Sequence, residues 1–498
     1  MTQRLKVVMA QLNMLVGDID GNTQRIIAAA GQAIAEYSAD LIVFPELALI
    51  GYPPEDLLLR PSLQIRIEKA LEKILAADLQ VTIVVGFPEL VDGKLYNALA
   101  VIKGKQCLTG YRKQCLPNYQ VFDERRYFAP GHDCCVLEIS GTSVAFTICE
   151  DLWEVEPMAQ VREAGAQLLV NINASPFHID KLDERMELLR RRAIEGNFPI
   201  VYVNLVGGQD ELVFDGGSMA VNEEGDCCFL APRYVEGLYP LEVAIQPNGT
   251  CRLPMQEVAP ELSLEAQVYQ ALVLGVRDYV GKNGFGGVVL GLSGGIDSAL
   301  TLAIAVDALG KERVQAVMMP FEYTSQLSID AASQQAGLLG VDYQVIAINE
   351  VYTAFLSALS DEFAGFEVDV SEQNIQARAR GVLLMAISNK KGVLVLTTGN
   401  KSEIAVGYST LYGDMAGGFD ALKDVSKSLV YRLASYRNTG YGAEPETVIP
   451  SQVIERPPSA ELAPDQLDQD SLPPYHVLDK ILELYVEKDL SADAIVAE

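Results

Sequence analysis

The chain has 498 residues, 49% of them hydrophobic, with 38 Lys+Arg against 67 Asp+Glu and a formal net charge of -29. That length predicts two large domains or three smaller ones, and the apolar content suffices for sizeable cores, which excludes a disordered chain. The acidic balance excludes a nucleic-acid-binding module built on a basic footprint, and no apolar run is long enough to span a bilayer.

The sequence opens on a strand-like run, LKVVMAQL, with no basic segment leading into a signal-peptide core, so a cytoplasmic location is the default expectation. Short apolar runs predict strands at 7–12, 41–46, 82–87, 96–102, 144–150, 168–173 and 200–206, and helical periodicity covers 22–37 and 180–196. The result is an α/β pattern whose strands often end on a polar residue. The clusters RKQ at 112–114 and RRR at 190–192 read as a solvated helix face or a local anion contact. All eight cysteines precede position 252, none forms a CxxC pair, and there are only three histidines, so a Cys/His zinc site is poorly supported and structural thiols in a reducing compartment are expected.

The stretch 235–262 carries Pro240, Pro247, Pro254 and Pro260 and reads as a loop. The expected division is therefore a domain over 1–235, a linker over 236–261 and a second domain over 262–498. Helical periodicity resumes at 262–282, and strands are expected at 287–292, 314–320, 343–349 and 392–398. Helices intervene, which predicts a parallel sheet with right-handed crossovers. The Pro- and acid-rich segment 444–474 reads as an ordered surface loop or linker.

The sharpest local signal is Leu292-Ser293-Gly294-Gly295-Ile296-Asp297-Ser298, directly after an apolar strand and opening a helix. Glycines there let backbone approach a ligand, and free N–H groups at a helix start hold phosphate oxygens. Ser293 and Ser298 add hydroxyls, and Asp297 adds a carboxylate of the hard kind that magnesium takes. It is not a Walker loop, since no lysine follows the glycines. Downstream, NIQARARG places Arg378 on one helical face with Asn374 and Gly381. TTGNKSE follows a strand, where open α/β sheets gather ligand contacts, and supplies Glu403 as a second candidate carboxylate. Gly413-Asp414 leads on to Asp420, Lys423 and Lys427, whose ammonium groups suit a transferring adenylyl or phosphoryl group.

In the first half, Glu46 (LIVFPEL), Lys113 (GYRKQCLP) and Cys149 (FTICEDLW) stand at strand ends and make a coherent chemical set. Cys149 attacks an amide carbon once ionised, Glu46 takes the thiol proton and later activates water, and Lys113 stabilises the oxyanion. Taken singly, each has a plainer reading: a core cysteine, a helix cap and a surface charge.

Two resemblances sharpen these readings. SGGIDS resembles the pyrophosphate-binding loop of the N-type ATP pyrophosphatases, but alone it does not separate NAD, GMP and asparagine synthetases. GLSGGIDSAL, NIQARARG, TTGNKSE, GYSTLYGD, IERPPSAEL and DSLPPY, spread over about 287–480, together resemble the NAD synthetases. That resemblance implies a Rossmann-like parallel-sheet ATP pyrophosphatase domain. In it Gly291, Leu292, Ser293, Gly294, Gly295, Ile296, Asp297, Ser298 and Thr398 contact ATP, and Asp297 and Glu403 hold Mg2+. Arg378, Glu403 and Lys427 contact nicotinic acid adenine dinucleotide, with Lys423, one helical turn before Lys427, as the competing lysine. FPE, YRK and ICED resemble the Glu-Lys-Cys triad of the nitrilase superfamily over roughly residues 5–235. This second resemblance implies an N-terminal α-β-β-α sandwich with Glu124 as a further carboxylate and Tyr119, Ser175 and Lys181 as glutamine contacts.

Together the resemblances imply an enzyme that hydrolyses glutamine and uses the ammonia, with ATP, to adenylate and amidate nicotinic acid adenine dinucleotide. The products are NAD, AMP, pyrophosphate and glutamate. A homo-oligomer and an ammonia channel between the sites are further implications, with no nucleic acid and no membrane as partners. The rival reading keeps the glutaminase and gives the synthetase a different acid; a scaffold with dead sites is disfavoured by the retained motifs. Family members often continue past LDKILELYVEKD with a basic tail, whereas this sequence reaches Glu498 through an acidic segment, which leaves C-terminal contacts open.

Overall fold

A computed structural model describes residues 3–246, 249–442, 445–459, 461–463 and 466–498. Pro247 of the expected linker, and Glu444, Ala460, Pro464 and Asp465 of the expected loop, lie outside the described residues. The chain divides into two compact units, Met1–Glu261 and Leu262–Glu498.

In chain order the first unit contains β1 (Gln3–Gln11), α1 (Ile19–Tyr37), β2 (Leu41–Val43), α2 (Pro61–Ala76), β3 (Thr82–Val91), β4 (Lys94–Lys103), β5 (Gln106–Arg112), β6 (Cys135–Ile139), β7 (Thr142–Ile148) and α3 (Val155–Glu163). It continues with β8 (Leu168–Asn173), α4 (Lys181–Gly196), β9 (Ile200–Asn204), β10 (Val206–Gln209), β11 (Leu212–Asp215), β12 (Met219–Val221), β13 (Cys227–Leu230), β14 (Gly237–Ile245) and β15 (Cys251–Arg252). One sheet has the order β15-β14-β1-β2-β3-β4-β5 and the other β13-β12-β9-β8-β7-β6, with β10 and β11 as a separate hairpin.

Alternation along the strands sends one set of side chains inward and one outward. Val7, Met9 and Val43 of the first sheet meet Phe146, Val170 and Val201 of the second in a core between the sheets. The other face of the first sheet, with Val8, Ile42 and Val85, packs on Ile26 and Ala30 of α1 and Ile67 and Ile74 of α2. The outer face of the second sheet, with Ala145, Leu169 and Ile200, packs on Val161 of α3 and Leu189 of α4. The unit is thus an α-β-β-α sandwich, because each sheet carries apolar side chains on both faces that demand cover.

The expected linker over 236–261 is corrected here. Its first part is β14, which runs antiparallel along β1 from Gln11↔Gly237 to Gln3↔Ile245. Pro240 is tolerated because β15 covers β14 only at Ala244 and Ile245, leaving β14 an open edge at the proline. The basic cluster at 190–192 is also only partly a solvated face. Arg192 is buried and donates to the carbonyls of Leu152 (2.8 Å) and Trp153 (2.5 Å), hooking α4 over the turn that follows β7.

The second unit contains α5 (Leu264–Lys282), β16 (Val288–Gly291), α6 (Ile296–Leu309), β17 (Val314–Met318), α7 (Gln326–Leu339), β18 (Asp342–Val345), α8 (Asn349–Ala358), α9 (Val370–Lys391), β19 (Leu394–Thr397), α10 (Lys401–Ala405), β20 (Phe419–Asp420), α11 (Lys427–Thr439), α12 (Ser451–Glu455), α13 (Tyr475–Leu482) and α14 (Ala492–Ala497). Its sheet, β18-β17-β16-β19-β20, is parallel throughout. From β16 the chain first steps to β17 on one side, and β19 later takes the other side. The carboxyl end of β16 is therefore the point where strand order reverses, the place where such sheets open a crevice. The segment 444–474 is not the surface loop expected. Val448, Ile449 and Val453 are buried, and Asn438 of α11 clamps its start by accepting from Val448 N and Ile449 N, both at 3.0 Å.

Candidate active sites

The first unit gathers its chemistry where strands of both sheets end. Glu46 lies three residues beyond β2, and its Oε2 accepts the Ala174 N–H at 3.0 Å, just past the end of β8. Lys113 follows β5 directly and donates from Nζ to Glu46 Oε1 at 2.7 Å and to Glu124 Oε1 at 2.8 Å. Lys113 is 0% exposed, Glu46 1% and Glu124 5%, so these charges are dry and must neutralise one another. Burial works against the Lys113 ammonium, yet Glu124 and Glu46 outweigh it and hold its proton well above the usual lysine range. Burial likewise pushes the Glu124 carboxyl upward, against the pull of Lys113.

Cys149 begins the turn after β7 with φ +45°. That left-handed conformation costs a residue with a Cβ roughly 1–2 kcal/mol, a strain kept only where packing over-determines it. Burial pushes the Cys149 thiol well up, Glu46 adds to that, and Lys113 opposes it. The resting group is therefore a thiol beside a carboxylate, with a fixed ammonium close by. Such a set can pass a proton from sulfur to Glu46 while the amide carbon is attacked.

Of the three expected glutamine contacts, Ser175 is buried and anchored. Its N–H donates to Asn204 at 2.9 Å, and its Oγ accepts from Arg185 Nε at 3.1 Å. Tyr119 is half exposed and donates its hydroxyl to Glu150 at 3.0 Å. Lys181 pairs with Glu184 at 2.8 Å and lies 4.7 Å over the Trp153 ring.

In the second unit the SGGIDS turn sits at the end of β16. Ser293 Oγ accepts from Gly295 N at 3.2 Å, and Ser298 Oγ accepts from Ser293 N at 3.2 Å, so the hydroxyls close the loop on itself. Gly294 has φ +82°, and a Cβ there would stand 2.3 Å from the Ser328 carbonyl oxygen. Only glycine fits. A cavity of about 380 Å³ opens beside the loop and is lined by Gly291, Leu292, Ser293, Gly295, Ile296, Asp297, Ser298, Thr398, Glu403 and Lys427, among others. Gly294 instead turns its carbonyl to Arg456, at 2.7 Å.

Lys427, the first residue of α11, is 2% exposed and donates to Asp297 at 2.6 Å and Glu403 at 2.8 Å. Burial works against its ammonium, but Asp297 and Glu403 outweigh it and raise the proton's hold. Burial and the Asp297 charge in turn push the Glu403 carboxyl upward. Lys423 instead pairs with Asp424 at 2.7 Å on a more exposed surface, so Lys427 is the lysine of the cavity. Arg378 is not brought there: it is exposed and donates to the Leu411 carbonyl at 3.2 Å, while Arg380 lines the cavity. The two stand about 200° apart around a helix of 3.6 residues per turn.

Two families divide the chain between them. The carbon-nitrogen hydrolase family matches residues 6–250 and the NAD synthase family residues 268–498. Full-length likeness decides the combination. The glutamine-dependent NAD(+) synthetase of Acinetobacter baylyi is 48% identical over 494 residues, covering 99% of this chain and 90% of its own. The chain belongs to the glutamine-dependent NAD(+) synthetases. Within that family the Xylella fastidiosa enzyme is 49% identical, covering 100% of this chain and 91% of its own. The structure of the Acinetobacter baumannii enzyme, in complex with adenosine diphosphate, superposes with a TM-score of 0.87 at 46% identity and covers 99% of this chain and 90% of that one. The family membership carries the enzyme class, a ligase with a glutaminase half, and the α/β fold of both halves.

Several residues of both sites had escaped sequence reasoning. Asn97 donates to Glu46 Oε1 at 2.7 Å, and the Tyr52 hydroxyl donates to Glu124 at 3.2 Å. Asn400 bridges the cavity's acids, donating to Asp297 at 2.9 Å and accepting from Glu403 N at 3.0 Å. Arg456 lay within a quoted motif, IERPPSAEL, and its charge was the available signal. Asn97 carried none, being one polar residue in an apolar strand.

Proposed function

We propose that Cys149, Glu46, Lys113 and Glu124 hydrolyse the side-chain amide of glutamine, and that the cavity beside Ser293–Ser298 adenylates and amidates nicotinic acid adenine dinucleotide. The enzyme as a whole makes NAD with glutamine as nitrogen source and ATP as substrate. The observation carrying the residue assignment is the closed charge set of each site: one buried ammonium between two carboxylates, at 2.7 and 2.8 Å for Lys113 and at 2.6 and 2.8 Å for Lys427.

In the first site the Cys149 thiol gives its proton to Glu46 as sulfur bonds to the amide carbon. Lys113, held by two acceptors, faces the oxygen that gains charge. The carbon–nitrogen bond breaks, the nitrogen leaves with the proton as ammonia, and a thioester remains. Water then gives a proton to Glu46 while its oxygen bonds to the thioester carbon. The carbon–sulfur bond breaks, Glu46 passes that proton to the leaving Cys149 sulfur, and glutamate is released. Ser175, with Tyr119 and Lys181, orients the amino-acid end of the substrate.

In the second site the nicotinate carboxylate attacks the α-phosphorus of ATP, and pyrophosphate leaves. Ammonia then displaces AMP from the acyl-adenylate. Backbone N–H groups of the 293–298 loop and the start of α6 hold phosphate oxygens. Lys427, together with Arg380 and Arg456, offsets the charge gathered there. Asp297 and Glu403 are hard oxygen donors of the sort that bind Mg2+ together with substrate phosphates. They would hold it, and the ion would supply charge neutralisation at the phosphates. Arg378 as a dinucleotide contact rests on its motif alone.

The test is NAD formation with glutamine or ammonium, in wild type and Cys149→Ala. Loss with glutamine and retention with ammonium supports both assignments. Amidation of a different acid with ATP would replace the dinucleotide.

A further inference from the structure

One buried carboxylate beside the first site takes no part in the chemistry above. Asp151 is 0% exposed and accepts four hydrogen bonds. Its Oδ1 takes the backbone N–H groups of Gln114 at 2.9 Å and Cys115 at 2.8 Å. Its Oδ2 takes the Tyr111 hydroxyl at 2.8 Å and the Ile148 N–H at 3.1 Å. Tyr111 on one side and Gln114 and Cys115 on the other bracket Lys113, while Ile148 immediately precedes Cys149.

These donors come from two different sheets. β5 is the edge of the first sheet and, among the described residues, pairs with β4 alone, whereas β7 lies inside the second between β6 and β8. Among the described residues, no ladder of backbone hydrogen bonds joins the strand end that carries Lys113 to the one that carries Cys149. Asp151 supplies that junction with a side chain. Its bond to Ile148 also spans the Cys149 turn, whose positive φ needs an external hold. Only an ionised carboxylate has acceptor sites for all four donors; an amide would aim its own N–H groups at one pair of them.

We propose that Asp151 is a positioning residue of the glutaminase site, fixing the Lys113 ammonium relative to the Cys149 sulfur across the two sheets. The inference rests on the reading that these two residues hydrolyse glutamine. Asp151 touches no reacting atom and acts through the backbone on either side of both.

The experiment uses the full chain as Asp151→Asn, Tyr111→Phe and Cys149→Ala. Glutamine hydrolysis is measured for kcat and KM, NAD formation is measured from ammonium, and alkylation of Cys149 by iodoacetamide is followed against pH by peptide mass. For Asp151→Asn, kcat falls about 100-fold, the cost of roughly 1 Å of misplacement, while the KM for glutamine and the ammonium-driven rate stay within about 3-fold. Its alkylation profile moves to higher pH, because the ammonium that favours the thiolate has moved away. Tyr111→Phe removes one donor and leaves the carboxylate, and lowers kcat by about 3- to 10-fold at unchanged KM. A merely structural Asp151 would leave kcat per folded molecule and the alkylation profile where they are, and either result overturns the proposal. If Asp151→Asn yields no folded protein, Tyr111→Phe decides, and an unchanged kcat and profile there overturn it too. If Cys149→Ala still hydrolyses glutamine, the underlying reading fails and this inference goes with it. If Cys149→Ala is inactive while Asp151→Asn is not, the positioning role alone fails.

Discussion

The Lys427 ammonium donates to the Asp297 carboxylate at 2.6 Å, though 130 residues of chain separate them. Glu403, at 2.8 Å from the same nitrogen, completes a cluster in which the cation stands between the two carboxylates read as metal ligands. The carboxylates are thus kept close by a charge of the chain's own.

Removing that charge leaves two partly buried acids facing each other. Lys427→Met is expected to cost about 3 kcal/mol in the stability of the second unit, the usual penalty for breaking a buried ion pair on one side. NAD formation should fall by at least ~100-fold with either nitrogen source, since the cation proposed to face the transferring group is gone. Denaturant unfolding and the paired assays check both, and equal activity with ammonium would remove Lys427 from the site.

The Cys149 thiol offers a pH test whose sign differs between variants. Burial and Glu46 raise its proton affinity above the ordinary thiol value, and Lys113 lowers it. Alkylation of wild-type Cys149 should therefore be slow at neutral pH and still rising above about pH 9. Glu46→Gln should shift that rise to lower pH and Lys113→Met to higher pH. Both should reduce glutamine hydrolysis about 100- to 10,000-fold, because one loses the proposed base and the other the proposed oxyanion partner. Shifts of the same sign in both variants would contradict the charge arrangement.

Gly294→Ala tests the loop. With φ +82° and the Ser328 carbonyl oxygen 2.3 Å from the new Cβ, the loop or α7 must move. ATP-dependent amidation should fall sharply with both nitrogen sources, and the strain should destabilise the second unit by about 1–3 kcal/mol. Glutamine hydrolysis assayed alone is the internal control.

Arg456 ties the 444–474 segment to the same loop, donating to the Gly294 carbonyl at 2.7 Å and to Ser328 Oγ at 2.8 Å. Arg456→Ala should raise the KM for ATP by roughly 10-fold or more, the worth of charge-assisted hydrogen bonds, with a smaller effect on kcat. Initial rates at varied ATP separate the two. An unchanged KM would make the arginine a tie for the segment and nothing more.

What could be read from sequence was what neighbouring residues decide together. The SGGIDS turn is legible because strand, glycine, hydroxyl and helix start follow one another within a few bonds, and the loop's conformation is set by those same residues. The α/β character of both halves followed from periodicity, which each strand and helix carries within itself. The strand within 236–261 is not legible locally, because its prolines resemble those of a loop and β14 becomes a strand only by pairing with β1, more than 220 residues upstream. Arg378 and Arg380 show the same limit on a helix. The motif announces an arginine there, but which of two positions faces the crevice depends on how α9 packs.

The sequence by itself determined two α/β halves, a set of three residue types suited to opening an amide, and a glycine-serine turn between strand and helix that resembles a pyrophosphate-binding loop. Tertiary structure alone decided which charges meet. Glu46 reaches Lys113 across 67 residues, Asp151 reaches Cys115 across 36, and Lys427 reaches Asp297 across 130. The physical reason is one of range. Backbone geometry is fixed by adjacent residues, whereas a buried charge is tolerable only beside its counter-charge, and that meeting exists only once separate sheets and helices have packed.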